Sequence, residues 1–189
     1  MTKLSQVFAE IIEYNQKELC WIVSPELGKF LYKKALAIKA KKILEIGTSI
    51  GYSGLWFAWA LKKNHGILYT IESNKYRFAS AEKFFQKSRL AKYIVQIKGH
   101  APEDIPRIKG KWDLVFFDAT KCEHILYFQA IKDKLRKHGL LIVDNVESHK
   151  EAMKNFLETI VNDENFEVNI FRDFDKGILV ARKIKPLAT

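Results

Sequence analysis

Lys42-Ile43-Leu44-Glu45-Ile46-Gly47-Thr48-Ser49-Ile50-Gly51-Tyr52-Ser53 decides the fold of this chain. An apolar run closes on an acid and a glycine, a second glycine follows, and Leu55, Trp56, Phe57, Ala58, Trp59 and Leu61 then open a helical pattern. That order describes a strand feeding a loop that cradles a nucleotide. Glu72, at the end of the next apolar run, stands where α/β folds place the carboxylate that grips a ribose. The glycine spacing narrows the nucleotide. A dinucleotide fingerprint G-x-G-x-x-G starting at Gly47 requires glycine at positions 49 and 52, which hold Ser49 and Tyr52. The pattern is E-x-G-x-x-x-G, which disfavours a nicotinamide dehydrogenase.

Outward from this loop, strands and helices alternate. Apolar residues at Leu4, Val7, Phe8, Ile11, Ile12 and Leu19 predict a first helix. Ser24-Pro25-Glu26 starts a second, running to about Ile38, with serine as N-cap and proline in the first turn. Strands are expected at Lys42–Ile46, 67–71, 93–97, 112–118, 139–144, 166–170 and 177–181, with helices at 53–63, 74–89, 102–108, 124–135 and 148–161. Continuous apolar strands such as Leu114-Val115-Phe116-Phe117 belong to parallel sheets covered on both faces. Only Arg172–Lys176 separates the last two strands, too short for a crossover, so they form an antiparallel hairpin. The expected architecture is α/β, Rossmann-like and doubly wound. It has a seven-stranded, mostly parallel sheet with an antiparallel C-terminal hairpin, in one domain over residues 1–189 (helices in 1–38, core in 42–182).

Composition bounds the function classes. A chain of 189 residues with 48% hydrophobic and 29% charged residues is globular. No apolar run approaches the roughly 20 residues of a membrane span, and the start lacks a signal-peptide core. Two cysteines, Cys20 and Cys122, make no disulfide framework; free buried thiols and a cytoplasmic location are expected. The net charge of +10 raises nucleic acid as a partner, although the lysines are spread along the chain and suit a solvated surface equally well.

Four strands carry an acid at or near the carboxyl end, where ligands bind in open parallel sheets: Glu45, Glu72, Asp118 and Asp144. One such acid can be a helix cap, but four converging at one edge point to a site. Asp118-Ala119-Thr120-Lys121 and Asp144-Asn145-Val146 follow two strands expected to be adjacent. Their oxygens form a hard donor set that suits magnesium better than zinc. The five histidines are dispersed and are expected mostly on the surface or in loops.

Here a resemblance becomes specific. The E-x-G-x-x-x-G loop is similar to motif I of class I S-adenosylmethionine-dependent methyltransferases. Together with Val23-Ser24-Pro25-Glu26-x-Gly28, Glu72, Asp118-Ala119-x-Lys121, Asp144-Asn145-Val146 and Asp175-Lys176-Gly177, it resembles the metal-dependent O-methyltransferase family that includes catechol and caffeoyl-CoA O-methyltransferases. The resemblance implies that Glu45, Gly47 and Ser49 lie against the methionine and ribose of the cofactor, Ser53 and Val23 at its amino-acid end, Glu72 at the ribose hydroxyls and His100 and Ala101 at the adenine edge. It implies Asp118, also beside the cofactor, Asp144 and Asn145 as ligands of a divalent metal, and Lys121 as general base. A phenol-like hydroxyl is mostly protonated at neutral pH, so a metal on its oxygen and a nearby lysine to take the proton are the groups that methylation needs. A hydroxylated small molecule is the implied acceptor, and a homodimer is compatible with the family.

The substrate side departs from the family pattern. Few residues precede Ser24-Pro25, and Glu147-Ser148-His149-Lys150 replaces an aromatic, glycine-containing loop. His124 stands where tyrosine is usual, and His100 where many members have an acid. A trimmed rim predicts a more open site, able to admit a bulky acceptor such as a hydroxylated uridine within transfer RNA. A cofactor-binding protein without catalysis is the remaining alternative, although it has no need of Asp118, Lys121, Asp144 and Asn145 together.

Overall fold

The computed structural model describes residues 3–185; the predicted domain's extremes, residues 1–2 and 186–189, lie outside them. The helices are α1 (Lys3–Glu18), α2 (Pro25–Ala37), α3 (Tyr52–Asn64), α4 (Lys75–Ser88), α5 (Ala101–Asp104), α6 (His124–Ile131) and α7 (Lys154–Val161). The strands are β1 (Lys42–Ile46), β2 (Ile67–Glu72), β3 (Ile94–Lys98), β4 (Trp112–Phe117), β5 (Leu135–Val143), β6 (Phe166–Phe171) and β7 (Ile178–Lys183). They form a seven-stranded sheet in the order β3-β2-β1-β4-β5-β7-β6, which is the expected α/β class with its antiparallel end.

Chain contacts divide the molecule into two compact units, Met1–Lys41 with Thr48–Gly99, and Lys42–Gly47 with His100–Thr189. In the first, β2 and β3 pair in parallel. Ser24 caps α2 by accepting the Leu27 N–H at 3.0 Å, and α2 packs on α3, which buries Tyr52 to Ala58. Gly28 lets the two helices close, because a Cβ there would stand 2.2 Å from the Trp56 indole. In the second, β1, β4 and β5 pair in parallel, Leu44 opposite Val115 and Val115 opposite Leu141. The β5–β7 and β7–β6 ladders are antiparallel. Trp112, Phe116, Phe117, Tyr127, Phe128 and Phe156 are the large side chains at the centre of this unit's core.

Two elements differ from expectation. The helix predicted to reach residue 135 ends at Ile131, because Leu135 pairs with Trp112 and starts β5 early. Lys134 is then held by its ammonium on the carbonyls of Ile105 (3.0 Å) and Pro106 (3.1 Å). The helix predicted from Ser148 starts only at Lys154. The N–H groups of Val146, Glu147 and Ser148 are taken by Gly177 and Lys176 carbonyls of the β6–β7 loop, so the segment is held as turns. Cys20 is buried as expected; Cys122 is exposed, because the turn that carries it buries His124 instead. No helix among the described residues is long and apolar enough to cross a membrane.

Candidate active site

In the first unit the site residues are built around the loop after β1. Ser49 has φ of 47°, a left-handed conformation that a serine adopts only when held there. Its N–H donates to Glu72 Oε2 at 2.8 Å, and its hydroxyl donates to the Cys20 carbonyl at 2.6 Å. The other Glu72 oxygen accepts the Asn74 N–H at 2.8 Å. Glu72 therefore anchors the loop. A carboxylate accepts about four hydrogen bonds, which leaves lone pairs for a ribose diol. Gly51, at φ of 91°, starts α3 without a side-chain cap, so that helix's first N–H groups and dipole are available to an anion. Ser53 in its first turn and Val23 before α2 are both buried. The Cys20 anchor has no sequence signal of its own.

The second unit holds the remaining residues. Glu45 is fully buried within β1, opposite Phe116. Gly47, at φ of 99°, lies so close to the next strand's end that a Cβ would be 2.3 Å from the Asp118 carbonyl oxygen. The Asp118 N–H donates to Ile46 O at 2.9 Å, and the Asp144 N–H to Phe117 O at 3.1 Å. Three strand ends are thereby laced together, and they carry the acids with them. Lys121 Nζ donates to Asp118 Oδ1 at 2.9 Å, with both side chains largely buried. The Asn145 N–H donates to Asp144 Oδ1 at 2.7 Å, and Asn145 sits at φ of 66°. Burial raises the Asp118 carboxyl above its ordinary range, against the pull of Lys121 and Lys176. Burial, and then the Asp118 charge, push Asp144 up to about 7.

Two buried carboxylates that repel one another, with the Lys121 ammonium bonded to Asp118 alone among the described residues, form a site short of positive charge. A divalent cation relieves both penalties at once, and two carboxylates with an amide are hard donors fit for magnesium. Among the described residues, no group of three or more His, Cys, Asp or Glu is placed to hold a metal; the set here has two such residues and an asparagine. His100 lies apart from this cluster in its contacts. Its ring nitrogens engage Glu103 at 2.6 Å and Glu123 at 3.1 Å; burial lowers its pKa but the two glutamates outweigh that and raise it. Ala101 beside it is buried.

His124, one of five histidines expected mostly on the surface or in loops, is fully buried. Its Nδ1 lies 3.0 Å from the Thr120 carbonyl. A groove of about 260 Å³ lined by Val146, Glu147, Leu157, Glu158, Val161 and Ile170 lies along α7 and includes none of Glu45, Glu72, Asp118 and Asp144.

A loop with this glycine pattern, followed by acids at the strand ends of a β3-β2-β1-β4-β5-β7-β6 sheet, defines a class I methyltransferase. A family model described as O-methyltransferase matches residues 2–184. The chain belongs to that O-methyltransferase family. It is 38% identical over 128 residues to a protein named catechol O-methyltransferase of Niastella koreensis, and 34% identical over 125 residues to another of that name from Mycobacterium tuberculosis. Each match takes in 66% of this chain but only 58% and 56% of those proteins, so the chain spans less than two thirds of their length. Among solved structures, the O-methyltransferase TomG of Streptomyces achromogenes, in complex with SAM, superposes with a TM-score of 0.85 at 26% identity, over 98% of this chain and 91% of that one. The Bacillus cereus O-methyltransferase in complex with SAH, at 22% identity, shares the fold with a TM-score of 0.86, over 94% and 90%.

Proposed function

We propose that residues 1–189 form a single domain that transfers a methyl group from S-adenosylmethionine to a hydroxyl of a catechol-like or other vicinal-hydroxyl small molecule, assisted by a divalent metal, magnesium. The observation that carries this reading is the cluster of Asp118, Asp144, Asn145 and Lys121, in a chain whose two quoted relatives are named catechol O-methyltransferases. Asp118, Asp144 and Asn145 would hold the metal. The uncapped start of α3, with Ser53, would take the cofactor's carboxylate. Glu72 would take its ribose hydroxyls while holding Ser49 in place, and Gly47 leaves room for its chain. When bound, the cofactor supplies an electrophilic methyl and the metal stabilises the acceptor as an oxyanion. The protein aligns the acceptor oxygen, and Lys121, in its amine form, takes the hydroxyl proton onto Nζ.

Methyl transfer from labelled cofactor to a catechol panel, with and without chelator, tests the proposal. Lys121→Ala should lower kcat by roughly 10²–10⁴-fold, with cofactor affinity unchanged. Transfer undiminished by excess chelator removes the metal from the mechanism.

One observation favours a second reading, in which the acceptor is a hydroxylated nucleoside within transfer RNA. Residues 25–41 and 48–64, which contain α2 and α3, carry Lys29, Lys33, Lys34, Lys39, Lys41, Lys62 and Lys63 against a single acid, Glu26. Lys29, Lys33, Lys34, Lys62 and Lys63 lie within the two helices themselves, which makes that pair one basic part of the surface. Labelled transfer to bulk transfer RNA, beside the catechol panel, separates the two readings.

A further inference from the structure

His124 plays no part in the chemistry above, yet its burial is costly. Its side chain is fully enclosed, edge-on to Phe117 (centroids 5.5 Å apart) and against Tyr127 (5.5 Å) and Phe156 (5.9 Å). Its Nδ1 faces the Thr120 carbonyl oxygen at 3.0 Å, so Nδ1 carries the proton and donates it there. Nε2 is then a bare acceptor, and it is buried with no partner among the described residues. One hydrogen bond gained and one acceptor stranded roughly cancel in stability. A phenylalanine would fill the same aromatic box without the stranded acceptor. What phenylalanine cannot supply is the N–H on Thr120.

Thr120 is the residue before Lys121 and opens the 3₁₀ turn Lys121–Glu123. Its carbonyl also accepts the Glu123 N–H at 3.1 Å. The imidazole is thus a second tie on the one carbonyl that fixes where the turn begins, and Lys121 leaves that turn to reach Asp118.

We propose that His124 is a positioning residue: its Nδ1–H tether to the Thr120 carbonyl sets the turn that aims Lys121 at the acceptor. The inference rests on the O-methyltransferase reading for its consequence in turnover, but the tether itself is a property of the fold. Two variants separate the tether from the packing. His124→Phe keeps a ring and loses the donor; His124→Asn loses ring volume but presents an amide N–H where Nδ1 stood.

Two readouts are taken on each: steady-state kinetics with the metal and cofactor supplied, and amide hydrogen exchange at residues 121–124 in the protein alone. His124→Phe should lower kcat roughly 10–100-fold, as a misplaced catalytic group does, with the KM for cofactor within about twofold of wild type. Its turn amides should exchange about tenfold faster. His124→Asn should restore both readouts to near wild type. Wild-type kinetics and exchange in the phenylalanine variant overturn the inference, and so does an asparagine variant as impaired as the phenylalanine one. If the phenylalanine variant does not fold, the asparagine variant decides alone by the same two readouts. Absence of methyl transfer by the wild-type protein to any acceptor sinks the functional reading, while the exchange comparison still decides the tether.

Discussion

Two buried titratable groups, His124 and Asp144, have pKa values displaced past one another. Burial, and secondarily the Lys121 charge, pull His124 from 6.5 down to about 3. Burial and the Asp118 charge push Asp144 from 3.8 up to about 7. Their contributions to stability have opposite signs over nearly the same range. Between pH 6.5 and 3 the unfolded chain holds a proton on His124 that the folded protein refuses, so acidification destabilises, by at most about 1.4 kcal/mol per pH unit. Between pH 7 and 3.8 the folded protein holds a proton on Asp144 that the unfolded chain releases, so acidification stabilises; the raised Asp118 acts in the same direction. The change in the wild-type urea midpoint in chelator from pH 7.5 to 5 should therefore lie between those of His124→Phe and Asp144→Asn. His124→Phe, with Asp144 left unopposed, should become more stable on acidification across that range. Asp144→Asn should become less stable. Parallel midpoint curves for the three proteins would show that neither group is displaced as described. Adding magnesium at pH 8, above the value of about 7 for Asp144, should raise the wild-type Tm and leave that of Asp144→Asn nearly unchanged, since a ligand stabilises only the state that binds it.

At the scale of elements, the loop between β1 and α3 is shaped by close approach and by one carboxylate. Gly47→Ala brings a Cβ within 2.3 Å of the Asp118 carbonyl at φ of 99°, a backbone position no side chain can relieve. It should cost roughly 2–4 kcal/mol and abolish cofactor binding by calorimetry, whereas Glu72→Gln should fold and bind cofactor about tenfold more weakly, because one of the Ser49 and Asn74 amides loses its acceptor. Equal cofactor affinity in Glu72→Gln and wild type would deny the anchor. This loop was readable in advance because Gly47, Gly51 and the apolar run of β1 announce themselves by residue type and period, even though the groups they meet, Asp118 and Glu72, are distant in sequence. Helix and strand ends failed where a distant partner decided them. Nothing in Ser148–Met153 announces that the segment entering it is tied by the N–H groups of Val146, Glu147 and Ser148 to the β6–β7 loop. Nothing in Lys132-Asp133-Lys134 announces that Trp112 pairs with Leu135. The sequence marks the acids by their place at strand ends and Lys121 only through the family resemblance, whereas the burial of His124 had no mark, since a lone histidine before an apolar run does not announce the carbonyl it meets in the fold.

At the scale of the whole molecule, the net charge of +10 is the property that catechol methylation does not require. The lysines of the α2–α3 stretch lie beside half-buried rings, with Lys34 over Phe30 (5.0 Å) and Lys63 over Tyr32 (5.6 Å), and Tyr32 packs against Trp59 at 4.6 Å. On the transfer-RNA reading proposed above, these ammonium groups would meet a phosphate backbone. Each phosphate neutralised contributes roughly −0.7 to −0.9 to the slope of log K against log salt. A transfer RNA lying on Lys29, Lys33, Lys34, Lys62 and Lys63 should bind with a slope of about −4. Changing Lys29, Lys33, Lys62 and Lys63 together to glutamine should remove about three units of that slope and leave methyl transfer to catechol at its wild-type rate, because none of the four stands among the acids or the loop that serve the chemistry. If binding is indifferent to salt, or the quadruple variant binds RNA as the wild type does, the charge belongs to a solvated surface and the small-molecule acceptor stands without a rival.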